Sequence, residues 1–344
     1  MASREEGQPP HLSTMTYEFD SESGRIAMAF RSGRLHYRVH FGINGFNDLP
    51  NFIGVDRSDD GEHWVTVNSA KTDWLPPLRV AAAHNGDGSG KFATGGNHGN
   101  VEKKAKGDRT ARNTLFQIRA DGALLTESAS GTAKTIDMTV SNRIMGWNTT
   151  PLVMKPRYIM RQTFQLRFQA GGCEVRALLE PLEEVLLARD SALQTVNTGF
   201  QEKMFFYGKS VEWEPYKDGT SSGAKADAPD VIGVGLFSET NGQMTVWLDR
   251  EWEAGRGMML LDAHPLVRIS GGKSYLAVAL DVNEHQTDIG TTVSLTPGQI
   301  YRYRGGYSWY APSASDGNTP CFYRLLDGNI QYVSVADGGK LAIS

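Results

Sequence analysis

Cysteine is nearly absent: Cys173 and Cys321 are the only two in 344 residues, too few for a disulfide framework. A single bridge and two buried thiols are both open readings. No run of 18 or more apolar residues occurs, so no transmembrane helix is expected. The N-terminal stretch MASREEGQPPHLST has no apolar signal core. Charge of one sign is lacking too, with 35 Lys and Arg against 39 Asp and Glu and a net charge of −4. That balance argues against a nucleic-acid coat, whose domain would be strongly basic, but leaves room for a local basic groove. There is no phosphate loop ending in Lys-Ser/Thr, no GxGxxG opening a helix, no zinc-spaced Cys/His set and no GxSxG elbow. Helical periodicity is scarce: residues 177–189 are the main candidate, weakened by Pro181 in the interior.

Glycine and aromatic residues are abundant, at 38 Gly, 14 Phe, 12 Tyr and 7 Trp. Period-2 alternation dominates. Leu35, Tyr37, Val39 and Phe41 alternate with Arg34, His36, Arg38 and His40, the pattern of a half-buried strand. In 158–168, Tyr158, Met160, Phe164, Leu166 and Phe168 share a face. Further strands are expected at 62–68, 114–120, 136–144, 173–179, 203–213, 231–237, 243–249, 257–262, 274–281, 291–295, 299–304 and 329–335. Turn pairs such as Asp60-Gly61, Asp121-Gly122, Asn241-Gly242 and Asp327-Gly328 separate many of them. Many short strands with glycine-rich turns predict an all-β fold, a large antiparallel β-sandwich of jelly-roll type with little helix. Residues 1–14 read as a flexible tail and 15–344 as one β-sandwich domain. Two long loops, 82–113 and 216–230, are candidates for function.

The chemistry-bearing residues form three groups. Arg34, His36, Arg38 and His40, then Arg157, Arg161 and Arg167, then Arg302 and Arg304, are cations on strand faces. Lining a concave sheet, they would hold an anionic chain, because guanidinium forks onto carboxylate; on separate outer faces they would be ordinary solvated residues. Second, the loop Thr94-Gly95-Gly96-Asn97-His98-Gly99 sets an Asn-His pair between glycines, where a histidine is poised for proton transfer. Nearby Asn85 and Asp87 resemble part of a calcium loop, without the terminal Glu of the EF-hand. No cofactor is required; calcium is the single candidate. Third, Tyr301-Arg302-Tyr303-Arg304-Gly305-Gly306-Tyr307-Ser308-Trp309-Tyr310 offers rings to stack on sugar and an arginine to read an acid group.

Together, the basic strand faces, the Asn97-His98 pair and the Arg304, Gly306, Tyr307 segment resemble the catalytic furniture of β-jelly-roll polysaccharide lyases. The Gln-Ile-His run of the alginate-lyase branch is not present. The resemblance implies β-elimination on a uronic-acid-containing polysaccharide. Arg161 or Arg304 with Asn97 would neutralise the carboxylate, His98 would take the proton on the adjacent carbon, and Tyr307 would protonate the leaving oxygen. Arg34, His36, Arg38, His40, Arg157, Arg302, Tyr303, Trp309 and Tyr310 would bind the chain. No nucleic-acid or membrane partner is expected, and a secreted or extracellular location follows from the substrate class.

Two other readings stand beside this one. A glycoside hydrolase would need facing carboxylates, with Glu212 and Glu214, or Asp249, Glu251 and Glu253, as candidates. A carbohydrate-binding or virion-surface structural protein would need neither. His264 and His285 are isolated and read as structural.

Overall fold

The computed structural model describes residues 14–69, 73–86, 91–101, 106–153, 155–252, 264–277, 293–312, 320–335 and 340–344. All strand pairs are antiparallel, and no helix occurs among the described residues. The fold is the expected all-β sandwich. Its first layer is a six-stranded sheet, in the order Val65–Asn68, Leu49–Ser58, Leu35–Asn44, Arg25–Ser32, Met15–Asp20 and Ala129–Ala133. The second is a ten-stranded sheet whose middle strands run Gly242–Leu248, Tyr301–Tyr310, Gly172–Pro181, Tyr158–Gln169 and Ile136–Met145.

The alternation of side chains dictates how these layers meet. Leu35, Tyr37, Val39 and Phe41 are buried, while His36, Arg38 and His40 between them are half-buried on the other side. Phe164, Leu166 and Phe168 turn inward from the ten-stranded sheet. Rings from both sheets meet between the layers: Phe52 packs on Phe168, Tyr307 and Trp309, and Phe30 on Trp309. Burying such large rings is the main stabilising term, roughly 1.5–3 kcal/mol for each Phe-sized side chain.

Three small sheets flank the sandwich. Val293–Leu295, Val185–Asp190 and Leu78–Ala82 form one. Leu193–Val196, Lys273–Leu276, Val267–Ile269 and Ser221–Ser222 form another. Cys321–Leu326, Asn329–Val335 and Leu341–Ile343 form the third, which buries Phe322 and Val333 against Phe205, Tyr207 and Trp247.

The helix expected over 177–189 is two strands, Gly172–Pro181 and Val185–Asp190. Pro181 ends the first, as a residue without an amide donor does. Cys173 and Cys321 are both buried free thiols. The strands expected at 257–262 and in the later part of 274–281, and the candidates Asp87, Glu253 and His285, lie outside the described residues.

Candidate functional site

His98 owes its position to the glycine turn before it. Gly95 and Gly96 both have positive φ, at 79° and 49°, a conformation glycine adopts without the clash of a Cβ. A Cβ on Gly96 would sit 2.3 Å from Asp73 Oδ1, so the turn also needs glycine for space. Two buried side chains knit the turn to the core. Asn47 Nδ2 donates to the carbonyls of Gly96 (2.7 Å) and His98 (2.9 Å), and its Oδ1 accepts the Thr110 amide at 2.8 Å. Thr110 Oγ1 donates to the His98 carbonyl at 2.6 Å and accepts the Gly95 amide at 2.9 Å.

Asp73 comes from a different segment and is positioned by its neighbour. Trp74 is fully buried, stacked on Phe52 at 5.0 Å. Its carbonyl accepts the Tyr307 hydroxyl at 2.8 Å and the Gln194 amide at 3.1 Å. Asp73 itself accepts the Asn97 amide on Oδ1 and reaches His98 Nε2 with Oδ2 at 3.4 Å. The result is a carboxylate beside an imidazole, with side chains only 6% and 15% exposed. A carboxylate so placed can orient a histidine ring.

Both residues line a cleft of about 160 Å³, shared with Arg79, Arg189, Lys273, Tyr275, Ser191 and Gln194. The arginines face each other across two strands, since Arg189 is the register partner of Arg79. A register shift between Leu187 and Arg189 accounts for this. The extra residue of a bulge re-aims the side chain after it, turning Arg189 off the buried face that Val185 and Leu187 share. Like charges set directly opposite destabilise a sheet unless something offsets them. Arg189 Nε donates to Ser191 Oγ at 3.2 Å, and its guanidinium lies 5.8 Å from the Tyr275 ring centre. The described lining residues thus include three cations, Arg79, Arg189 and Lys273, and one carboxylate, Asp73.

The other expected site residues fall elsewhere. His36, Arg38 and His40 lie on the outer face of the six-stranded sheet, whereas Arg161 and Arg304 lie on the outer face of the ten-stranded one. The core separates these faces, so the continuous basic groove is not formed. Most of the cations are also satisfied locally. Arg38 and His40 both converge on Asp56, each at 2.7 Å, and Thr66 adds a third bond. Burial alone would raise the Asp56 pKa, but the hydrogen bonds from His40, Arg38 and Thr66 outweigh it and hold the carboxyl well below the usual range. His36 packs near Gly61, and burial and Arg31 disfavour its protonation. Arg34 donates to the Glu239 carbonyl.

Arg157 pairs with Glu183 at 2.8 Å and Arg161 with Glu180 at 3.4 Å. Arg304 is held by Asp249 at 2.6 Å and Asp327 at 3.0 Å. Burial lowers its pKa, and those two carboxylates more than restore it. Arg302 stands half-buried on the same strand as Arg304.

The expected catalytic tyrosine needs correction. Tyr307 is fully buried and its hydroxyl is committed to Trp74; burial pushes its pKa further up, away from acid–base work. Tyr303 and Trp309 are core residues as well, and Tyr310 packs edge-on against Tyr323 at 5.2 Å. Asn97 accepts the Phe46 amide at 2.6 Å and serves as a backbone clamp. Of the described hydrolase candidates, Glu214 accepts from Ser210 and Asp249 is held by Arg304, and the His98 cleft has one carboxylate among its described lining residues. A larger depression of about 290 Å³ on the outer face of the ten-stranded sheet contains Asp137 and Glu174, but these pair with Arg167 and Arg176. Asn85, expected as a cation ligand, donates to the Asn148 carbonyl.

Sequence reasoning missed Asp73, Arg79, Arg189, Ser191, Gln194, Lys273 and Tyr275. The available signal was Arg79 between buried Leu78 and Val80, a lone cation interrupting an apolar strand.

No family model matches the chain, and no curated protein is similar to it. Among solved structures, the crystal structure of heparinase III is similar over 94% of this chain and 41% of that one, at a TM-score of 0.34 and 8% identity. The chain therefore spans well under half the length of that protein. The class defined by fold and site together is an all-β sandwich with a cationic cleft built around a histidine–aspartate pair.

Proposed function

We propose that the protein acts on an acidic, uronate-containing polysaccharide, cleaving it by β-elimination in the His98 cleft. The observation that carries this reading is the meeting of His98 and Asp73 with Arg79, Arg189, Lys273 and Tyr275 in one cleft. Elimination needs three acts, and each has a chemically suited group there. Arg79 and Arg189 would bind the uronate carboxylate and stabilise the charge that develops on it as the adjacent carbon loses its proton. Neutral His98 would take that proton, and Asp73 would stabilise the imidazolium that forms. Tyr275 would donate its hydroxyl proton to the leaving glycosidic oxygen as that bond breaks and the ring double bond forms. Arg161, Arg304 and Tyr307, expected in these roles from sequence, are replaced by Arg79, Arg189 and Tyr275.

The test is ultraviolet absorbance during incubation with a panel of uronate polysaccharides, beside a reducing-end assay. Rising absorbance with new ends, lost in His98→Ala, is the expected result. New ends without absorbance would mean hydrolysis and overturn the proposal. Silence in both assays would favour a binding or structural role.

A further inference from the structure

One buried acid near the cleft has no part in that mechanism. Asp190 is fully buried, next in sequence to Arg189 and Ser191. Its Oδ1 accepts the Ala192 amide at 2.8 Å, and the Tyr301 hydroxyl is the other polar group that bears on the carboxyl. The ionisable groups that bear on it are Tyr301 and Tyr303, both buried tyrosines of the strand Tyr301–Tyr310. No cation among the described residues offsets its charge.

Ala192, whose amide Asp190 accepts, is a junction. Its carbonyl accepts the Tyr303 hydroxyl at 2.8 Å. Ala192 has a φ of 44°, a left-handed conformation that a residue with a Cβ keeps only when its surroundings hold it. It also bridges to Leu276, next to Tyr275. The Asp190–Ala192 turn therefore joins the strand carrying Arg189 to the strand carrying Lys273 and Tyr275.

We propose that Asp190 is a positioning residue whose neutral form locks this turn, and that its deprotonation loosens Arg189, Ser191 and Gln194 from the cleft. As a neutral acid it sits in the core without a counter-charge. As a carboxylate it would be a buried anion with no cation, and opening the turn to water relieves that cost. Burial is the largest influence on Asp190 and raises its pKa from 3.8 to about 7 against the pull of the Ala192 amide and the Tyr301 hydroxyl. The sign follows: the opened turn ionises near 3.8 and the closed turn near 7. Opening is therefore rarest in acid, becomes up to ~10-fold more frequent per pH unit across that window, and levels off above it. On the proposed function, on which this consequence rests, the cleft grips an acidic sugar best in mild acid.

Hydrogen exchange of amides 189–194 in the full-length protein, corrected for intrinsic exchange at each pH, tests the proposal without any ligand. Wild type should show at least ~10-fold more opening at pH 7 than at pH 5, and Asp190→Asn should show no such change. A second measurement needs no variant: the Asp190 carboxyl carbon, followed by NMR, should titrate near neutrality. Equal pH dependence in wild type and Asp190→Asn, or titration in the ordinary carboxylate range, would overturn the proposal. Because neither readout uses substrate, failure of the elimination assay and failure of this proposal are separable.

Discussion

Asn47 is the side chain on which the His98 turn depends most, and its removal should be costly. In Asn47→Ala the Gly96 carbonyl and the Thr110 amide both lose their side-chain partner. The His98 carbonyl keeps Thr110 Oγ1. Asn47 is 2% exposed and Thr110 is fully buried, so water cannot simply step in. Each stranded buried group costs roughly 1–3 kcal/mol, giving about 4 kcal/mol in total. Asn47→Asp is the sharper variant. It keeps the oxygen that accepts from Thr110 but replaces the donor with a second oxygen facing two carbonyls. It should be at least as damaging as alanine at pH 7 and recover in acid, when the new carboxyl is protonated and can donate again. Urea denaturation at pH 5 and 7 measures both. If Asn47→Ala lies within about 1 kcal/mol of wild type, or Asn47→Asp matches wild type at pH 7, the clamp does not hold the turn as argued.

Other outcomes follow from the same contacts. Tyr307→Phe removes one bond to the Trp74 carbonyl and should cost about 1 kcal/mol, with less than ~10-fold loss of turnover; Tyr275→Phe should lose ~10²–10⁴-fold, the usual contribution of a proton donor. Gly96→Ala drives a Cβ into Asp73 and should lose about 2 kcal/mol or more together with most activity, read by thermal unfolding and the absorbance assay. The depressed pKa of Asp56 adds stability that is present above the ordinary carboxylate range and lost progressively as pH falls from that range toward the depressed folded value. Asp56→Asn should therefore be destabilised by about 2 kcal/mol at pH 7, allowing for screening of the half-buried Arg38 and His40, and should show a weaker acid dependence in pH-stepped denaturation.

The fold was legible where alternation is strict. Leu35 to Phe41 and Met160 to Phe168 show which face is buried, and that face is buried in the structure. The same rule, carried further, would have corrected the expected site. Tyr301 and Tyr303 alternate with Arg302 and Arg304, so rings and cations on that strand must point to opposite sides, and only one set can meet a ligand. Alternation is also silent on which sheet a strand joins, and that is why the cationic faces looked continuous. The turn that carries His98 was legible because its glycines mark positive φ. Asp73, Arg189 and Lys273 were not, because three separate chain segments deliver them to one place and a bulge after Leu187 re-aims Arg189. Residues 177–189 misled because a run of Leu and Glu carries helix propensity, whereas sheet packing decided the outcome.

The central claim is that function resides in the His98 cleft and not on the outer sheet faces. Calorimetric titration of a uronate oligosaccharide, at fixed ionic strength, into an Arg79→Ser/Arg189→Ser variant and an Arg161→Ser/Arg304→Ser variant tests it directly. Losing a guanidinium–carboxylate interaction costs ~1.5–3 kcal/mol, so the cleft variant, which loses two, should bind at least ~100-fold more weakly while the outer-face variant stays within about 3-fold of wild type. The reverse ranking would contradict the account and return the site to the outer face.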